Sequence, residues 1–297
     1  MLVTRREFEE GLAKVRAACD PATGIHGPDS KCWEVNREAA LFLGGGRAAL
    51  LQLAHPFVAH GIDQHSKTRS DPQGRFIRTF ENVWAMEFGD LSDAMEAARR
   101  VHEIHARVTG IINEDVGDFP RGTSYRANDA EALLWVYATL VDSALLVFEL
   151  TIRPLETEEK ERYYDESRLF AYLFGIPDSV LPATWAAFCQ YTQDMFSSRT
   201  LAVGSQAAST GRFLLKPPHL LLTPAVNWYK VITAGLLPER LRRQFGLSFG
   251  LVERTLFNTS MAATRQLLRT LPAQLRYLPV YRRACKRIAE DSTVRAA

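Results

Sequence analysis

Apolar residues recur at helical spacing along almost the whole chain, and this periodicity limits the folds that the chain can adopt. Runs in which β-branched and polar residues alternate, as in half-buried strands, are nearly absent. Glycines and prolines separate the helical segments, for example at Gly44-Gly45-Gly46 and Pro217-Pro218. The sequence therefore predicts an all-α helical bundle.

No low-complexity linker or internal repeat divides the chain, so a single domain over residues 1–297 is the expected organisation. Asp71-Pro72 predicts a helix N-cap followed by a first-turn proline, and Asn128-Asp129 predicts another cap. The predicted helices are Arg5–Ala18, Trp33–Leu43, Arg47–Gly61, Asp71–Phe88, Ser92–Ile112, Asn128–Ile152, Glu156–Phe174, Ser179–Ser198, Thr200–Leu215, Pro224–Ala234, Pro238–Phe245, Leu247–Leu271 and Pro279–Ile288.

The longest apolar run, Ala132–Leu150, is about as long as a bilayer span. Asp142 lies near its middle, and a charged side chain at the bilayer centre costs roughly 3 kcal/mol or more. Because the sequence has no second run of this kind, we expect a buried central helix of a soluble protein.

Charge is distributed unevenly along the chain. The formal net charge of +2 gives no general attraction to nucleic acid, so no nucleic-acid partner is expected. Residues 236–297, however, hold 12 Lys and Arg against 4 Asp and Glu. These basic side chains either form solvated helix faces or contact an anionic membrane surface, since the arginines alternate with Leu, Phe and Tyr.

Cysteine usage and the N-terminal segment both predict a cytoplasmic protein, peripheral to a membrane if the basic C-terminal region contacts one. Cys19, Cys32, Cys189 and Cys285 fall in no CxxC or metal-ligand spacing, so free thiols are expected. The segment MLVTRREFEEGLAKVR carries charges where a secretion signal needs its apolar run.

Five of the seven histidines lie between His55 and His105. His105 falls on the apolar stripe of its predicted helix with Ala98 and Val101, whereas His102 lies nearer the margin of that stripe. A histidine on an apolar face is more often a hydrogen-bonded core residue than a ligand. Both roles therefore stay open for His105.

The segment DPQGRFIRTF contains a second candidate site. Arg75, Arg78 and Thr79 are spaced as neighbours on one helix face, and two guanidinium groups beside a hydroxyl suit an anionic or oxygen-rich ligand. The same row would simply face solvent if the opposite side of the helix, which includes Phe80 and Trp84, faces the core.

Several other chemistries lack their motifs. His55, His60 and His65 are five residues apart, which separates successive side chains by about 140° on a helix, so they cannot share a face to bind one metal ion. The sequence contains no Glu-x-x-His, no His-Glu-x-x-His, no P-loop and no Gly-x-Ser-x-Gly. Because no strand precedes the glycines at 44–46, they predict a tight turn and close helix packing rather than a dinucleotide site.

Five segments in order along the chain resemble the catalytic domain that the latex clearing protein rubber oxygenases share with the MpaB oxygenases. They are GGGRAALLQLAHPFVAHGIDQHS, DPQGRFIRTFENVWAMEFG, RRVHEIHARVTG, LLWVYATLVDS and YYDES…LFGIP. The resemblance covers roughly Leu41 to Phe249. It implies an all-helical bundle with a globin-like core around haem b.

The resemblance also implies roles for individual residues. His105 would be the proximal ligand of the haem iron, and Arg75, Arg78 and Thr79 would lie at the other face of the haem. Rubber-cleaving members have a lysine in place of Arg78 that can approach the iron; arginine keeps its proton, so this iron-capping behaviour is not expected here. Many relatives have a histidine in place of Tyr137, so contacts in the pocket would differ.

Haem binding requires a neutral imidazole on an apolar wall, together with cationic or hydroxyl groups for the propionates or bound oxygen. His105 and the Arg75, Arg78 and Thr79 row match these needs. His55 and Tyr137 are further candidates to line the pocket, and His102 and His55 remain alternative iron ligands. A carboxylate such as that of Asp142 would orient the second nitrogen of the ligand.

These features together favour a haem b-dependent oxygenase that binds dioxygen at iron held by His105 and acts on a small apolar, unsaturated substrate. Two alternatives remain open. One is a haem-binding sensor or carrier without turnover, and the other is a metal-free helical protein that binds lipid or a membrane surface through its basic C-terminal region.

Overall fold

α-Helices form most of the molecule, and the predicted all-α class is confirmed. The computed structural model describes residues 1–66, 68 and 70–296. Its α-helices are α1 (Arg5–Ala18), α2 (Lys31–Asn36), α3 (Gly45–Leu53), α4 (Pro56–His65), α5 (Pro72–Phe88), α6 (Leu91–Ala106), α7 (Ala130–Thr151), α8 (Thr157–Leu173), α9 (Trp185–Ser197), α10 (Ser205–Leu214), α11 (Thr223–Leu236), α12 (Glu239–Gln244), α13 (Leu251–Thr270), α14 (Ala273–Arg276) and α15 (Pro279–Ala296). Ala39–Gly44 and Leu220–Leu222 form 3₁₀ helices.

A short antiparallel hairpin interrupts the helical pattern after α6. Its strands are β1 (Thr109–Ile111) and β2 (Ser124–Arg126), and Gly110 pairs with Tyr125. The predicted continuation of the helix from Ser92 to Ile112 is therefore wrong, because α6 ends at Ala106. Gly110 allows the close approach, since a Cβ atom there would lie 2.6 Å from the Tyr125 hydroxyl.

The segment predicted as one helix from Arg47 to Gly61 forms two helices. Proline lacks the amide hydrogen that a helix interior needs, and Pro56 instead occupies the first turn of α4. His55 caps α4 by accepting a hydrogen bond from the Phe57 amide. The predicted helix Trp33–Leu43 is likewise split into α2 and a 3₁₀ helix.

Helix α7 is the central element of the bundle. Asp129 caps it by accepting hydrogen bonds from the amides of Glu131 and Ala132, and the helix packs against α3, α8 and α13. Among the described residues, α7 is the one helix that is long and apolar enough to cross a membrane, and 61% of its apolar window is buried inside the protein. This burial agrees with the predicted central core helix.

The main hydrophobic core joins the N-terminal segment to most of the helices that follow it, whereas α15 packs in a separate apolar cluster. The main core runs from Val3 before α1 to Leu241 in α12, and α1 packs against α8. Helices α5 and α6 form an antiparallel hairpin at one side of this core, where the Arg100 Nε and Asn82 Oδ1 atoms lie 3.4 Å apart. This register places the C-terminal half of α6 beside the N-terminal half of α5.

Much of the basic C-terminal region is engaged within the protein. Five of its arginines donate hydrogen bonds to backbone carbonyls or to a buried carboxylate: Arg240, Arg242, Arg265, Arg276 and Arg287. Others, such as Arg282 and Arg283, are exposed. The side chain of Arg295 and the whole of Ala297, which belong to the predicted basic region, lie outside the described residues. Membrane contact through this region stays a prediction.

Candidate functional site

A cavity of about 350 Å³ lies between the N-terminal segment and the C-terminal half of α6. Both histidines of α6 line it. Its lining residues are Leu2, Val3, Thr4, Arg5, Phe8, Glu9, Arg99, His102, Glu103, His105, Ala106, Arg126 and Asn128. The N-terminal wall is held by backbone hydrogen bonds, among them Val3 N–H to Asn128 O at 2.9 Å.

His105 lies in the last turn of α6 with its ring next to this cavity. Burial, with a smaller contribution from the neighbouring His102, lowers its pKa to about 4, so the imidazole is neutral at physiological pH. The ring nitrogens of His105 make no hydrogen bond with any residue that the structure describes. A neutral imidazole of this kind has a lone pair free for a ligand.

His102 is more tightly held than His105. Its ring stacks on Phe8 with the centroids 4.1 Å apart and the planes within 3°. Its Nδ1 atom and the Asn128 Oδ1 atom are both buried, and neither has a hydrogen-bond partner among the described residues. Both atoms are enclosed by protein, so they are unsatisfied polar groups within the wall of the cavity and do not themselves face its open space.

Three arginines surround the same cavity: Arg5, Arg99 and Arg126. Arg99 lies 3.5 Å from a carboxylate oxygen of Glu9, and both side chains are partly exposed. Guanidinium groups pair readily with carboxylates. Glu9 and Glu103 also line the cavity, so three guanidinium groups face two carboxylates, and the small excess of positive charge favours a ligand with anionic groups.

The Arg75, Arg78 and Thr79 row lies on α5 and does not line this cavity. The Thr79 hydroxyl donates to the Arg75 carbonyl at 2.9 Å, and the exposed Arg78 guanidinium lies 3.0 Å from Asp71. Burial lowers the pKa of Arg75. The register of the α5–α6 hairpin puts this row level with His105 along the helix axes.

The aromatic side of α5 is less buried than the sequence indicated. Phe76 is 52% exposed, and its ring lies 4.4 Å from that of Phe80. Phe42, in the 3₁₀ helix Ala39–Gly44, packs against both rings, and Trp84 extends the row toward the core. An apolar strip therefore runs along α5 beside the Arg75, Arg78 and Thr79 row.

The remaining predicted pocket residues lie in the core. His55 packs against Phe57 and Phe119, and burial lowers its pKa to about 4. The hydroxyl of Tyr137 is 2.6 Å from the Ser167 hydroxyl, and burial raises the Tyr137 pKa well above its usual value. Neither residue lines the cavity beside His105. Their roles in a cofactor site stay predictions.

The other histidines of the cluster are separate, as their spacing predicted. His60 makes hydrogen bonds with the Pro56 carbonyl at 2.9 Å and the Asn113 side chain at 3.1 Å, and His65 contacts the Thr109 carbonyl at 2.9 Å. Within the described part of the chain, no group of three or more His, Cys, Asp or Glu side chains is arranged to bind a metal ion. The four cysteines are free, as expected.

Asp142 does not orient a histidine. Its carboxylate lies 2.6 Å from the guanidinium of Arg47, which is 4% exposed and also donates to the Ser143 hydroxyl and the Leu236 carbonyl. This network could not be predicted from the sequence, because Arg47 follows three glycines and its partners are distant along the chain. The expectation that Asp142 orients an iron ligand is wrong, because its carboxylate is paired with Arg47 instead.

Several cavity residues were not identified from the sequence. Phe8 and Arg5 belong to the first helix, and Asn128 was interpreted only as part of a helix cap. No local pattern distinguishes these residues from ordinary surface and core positions, because only the tertiary packing of the N-terminal segment brings them beside α6.

Comparison with known proteins gives one match. Residues 33–273 match the family model described as the catalytic domain of ER-bound oxygenase mpaB/B' and rubber oxygenase. No curated protein and no solved structure matches the chain significantly. The matched range includes α5 and α6 with their candidate residues, whereas the wall formed by residues 2–9 precedes it.

Proposed function

The chain belongs to the mpaB and rubber oxygenase catalytic-domain family, and from this membership we propose that it is a haem b-dependent oxygenase of a small apolar, unsaturated substrate. The observation that carries the proposal is the imidazole of His105, which is neutral, unpaired among the described residues and next to a cavity. The family match supports oxygenase activity. Haem, the iron ligand and the substrate class are the parts that we propose.

The residues around the cavity fit the chemistry of a haem group. The cavity of about 350 Å³ beside His105 is space that the described chain does not fill. Arg5, Arg99 and Arg126 provide cations for two propionates, as guanidinium groups do at other carboxylate sites. Bound haem b would supply a redox-active iron for oxygen chemistry, which no side chain can provide.

His105 would hold the haem iron through its imidazole. Because its pKa is about 4, the ring stays neutral and keeps its lone pair at any pH near neutrality. His102 is a weaker candidate, since it is stacked against Phe8, and His55 is engaged in capping α4.

The Arg75, Arg78 and Thr79 row would act at the opposite side of the site. Its guanidinium and hydroxyl donors would stabilise negative charge that develops on oxygen during the reaction. The strip formed by Phe42, Phe76 and Phe80 would contact the apolar substrate and exclude water from it. To reach a ligand, Arg78 would have to leave Asp71, with which it is paired at 3.0 Å, and the Thr79 hydroxyl would have to turn away from the Arg75 carbonyl.

The test is a titration of the purified protein with haemin, followed by the visible spectrum. We expect a Soret band that shifts on binding, its loss in His105→Ala, and its return when free imidazole is added to that variant. His102→Ala, the matched control on the same helix, should retain the band. A wild-type protein that binds no haemin, or a His105→Ala spectrum equal to wild type, would contradict the proposal.

A measurement of oxygen consumption separates an oxygenase from a haem sensor or carrier. The reduced, haem-loaded protein should consume oxygen when an alkene such as a polyprenoid is present, and Thr79→Val should slow this consumption without altering the Soret band. A stable spectrum with no substrate-dependent consumption would favour the sensor.

A further inference from the structure

Three consecutive leucines project from the protein between α10 and α11. Leu220 is 92% exposed, Leu221 is 93% exposed and Leu222 is 46% exposed. They form a 3₁₀ helix directly after Pro217, Pro218 and His219. Isolated exposed leucines are common on protein surfaces, but adjacent apolar side chains that are almost fully exposed mark interaction sites.

The surrounding sequence carries charge of one sign. From Met195 to Pro238 the chain contains no Asp or Glu, whereas Arg199, Arg212, Lys216 and Lys230 are basic. Arg212 and Lys216 are exposed and precede Leu220 by eight and four residues along the chain. A partner that receives the leucines must therefore combine an apolar interior with an anionic surface.

We propose that residues 212–222, the leucine projection, dock on an anionic lipid bilayer. Leu220–Leu222 insert among the acyl chains at the interface, and Arg212 and Lys216 contact the lipid phosphates. A bilayer of anionic lipid combines an apolar interior with a negatively charged surface, which matches nearly fully exposed leucines that follow exposed Arg212 and Lys216. This inference does not depend on haem binding or oxygen chemistry.

Two other surfaces fit a bilayer less well. The basic C-terminal region uses many of its arginines within the protein, for example Arg240 and Arg276. Leu251 and Val252 are 83% and 77% exposed, but Glu253 follows them directly and would be repelled by anionic lipid. Leu267 and Leu275 are 57% and 70% exposed in another segment without carboxylates, residues 254–289, but they stand singly, whereas Leu220 and Leu221 are adjacent and more exposed.

Vesicle sedimentation with the full chain tests the proposal. Vesicles of phosphatidylcholine, with or without phosphatidylglycerol, are mixed with protein at low and high salt. We expect binding to the phosphatidylglycerol vesicles that weakens with salt, and roughly tenfold or greater weakening in L220S/L221S. L251S/V252S is the matched apolar control and R282Q/R283Q the matched basic control, and both should bind like wild type.

The proposal is overturned if wild type fails to bind phosphatidylglycerol vesicles at low salt, or if L220S/L221S binds them as well as wild type. It is also overturned if R282Q/R283Q abolishes binding while L220S/L221S does not, since the basic C-terminal region would then be the docking surface. Circular dichroism of L220S/L221S should match wild type, because the replaced side chains are almost fully exposed.

Discussion

At the scale of single residues, Arg47 is the clearest case of a buried charged side chain that depends on its partners inside the protein. Its guanidinium is 4% exposed and lies 2.6 Å from Asp142, with further hydrogen bonds to the Ser143 hydroxyl and the Leu236 carbonyl. Removing one member of a fully buried pair typically costs about 3–5 kcal/mol. The Asp142 side chain is 26% exposed and keeps part of its solvation, so the lower end of this range applies.

We therefore expect Arg47→Met to lower the free energy of unfolding by about 3 kcal/mol in urea denaturation. Arg243→Met is the control, because Arg243 pairs with Glu239 on the surface and such exposed pairs contribute about 1 kcal/mol or less. Equal effects of the two substitutions would show that Asp142 is adequately solvated without Arg47.

The same residues show what could be predicted locally and what could not. The position of His105 on an apolar stripe was readable from helical spacing, and the structure places its ring next to a cavity. Arg47 and Asp142 were readable only as separate charges, because their pairing joins positions that are distant along the chain. Helical spacing predicts which residues share one face of a helix. It does not predict which residues of other helices pack against that face.

At the scale of elements, glycines fix how closely α3 approaches α11. A Cβ atom on Gly46 would lie 2.3 Å from the Thr233 hydroxyl and 3.1 Å from the Tyr229 ring. The Gly46 amide also donates to the Tyr229 hydroxyl at 2.7 Å. This confirms the close helix packing that the glycines at 44–46 predicted, since a side chain at Gly46 has no space.

Gly46→Ala should therefore lower the free energy of unfolding by about 1–3 kcal/mol, as overpacking does in well-packed cores. Helix propensity alone favours alanine by about 1 kcal/mol, so the sign of the effect decides between the two causes. Gly27→Ala is the control, because the nearest atom to its added Cβ would be 3.9 Å away. A Gly46→Ala protein as stable as wild type would mean that α11 shifts at little cost.

Element types could be predicted more reliably than element boundaries. The periodicity identified α1 and α7 because each presents a regular apolar face, and α1 begins and ends at the predicted residues. It failed where backbone chemistry competes with periodicity, at Pro56 between α3 and α4 and at Gly110 in β1. The helical spacing of apolar residues continues through both positions, whereas the backbone hydrogen bonds of the helix end there.

At the scale of the whole molecule, buried titratable groups set how stability depends on pH. Burial lowers the pKa of His26 to about 3 and those of His55 and His105 to about 4. In the unfolded chain these histidines take up protons below their ordinary pKa of 6.5, but the folded protein does not. Their contribution is fully present above pH 6.5 and declines as the pH falls from there toward 4.

Glu87 acts in the opposite direction. Glu87 is 6% exposed, and burial raises its pKa to about 7 from 4.5. Its contribution to stability is fully present below pH 4.5 and is lost as the pH rises through 7, because the unfolded chain loses the proton first. Its Oε2 atom lies 3.8 Å from the Nε2 atom of His26, beyond hydrogen-bond length, and burial keeps both groups neutral.

The haem-free protein is therefore expected to be most stable at weakly acidic pH and to lose stability at both lower and higher pH. The variant Glu87→Gln tests the loss at higher pH by itself. Glutamine preserves the acceptor for the Asn36 amide, which donates to Glu87 Oε1 at 2.9 Å. Relative to wild type, the variant should gain unfolding free energy between pH 5 and pH 8, by up to about 3 kcal/mol at 1.4 kcal/mol per pKa unit. Urea denaturation at several pH values measures this difference. A difference that is constant or falls with pH would show that Glu87 is ionised in the folded protein and paired with protonated His26.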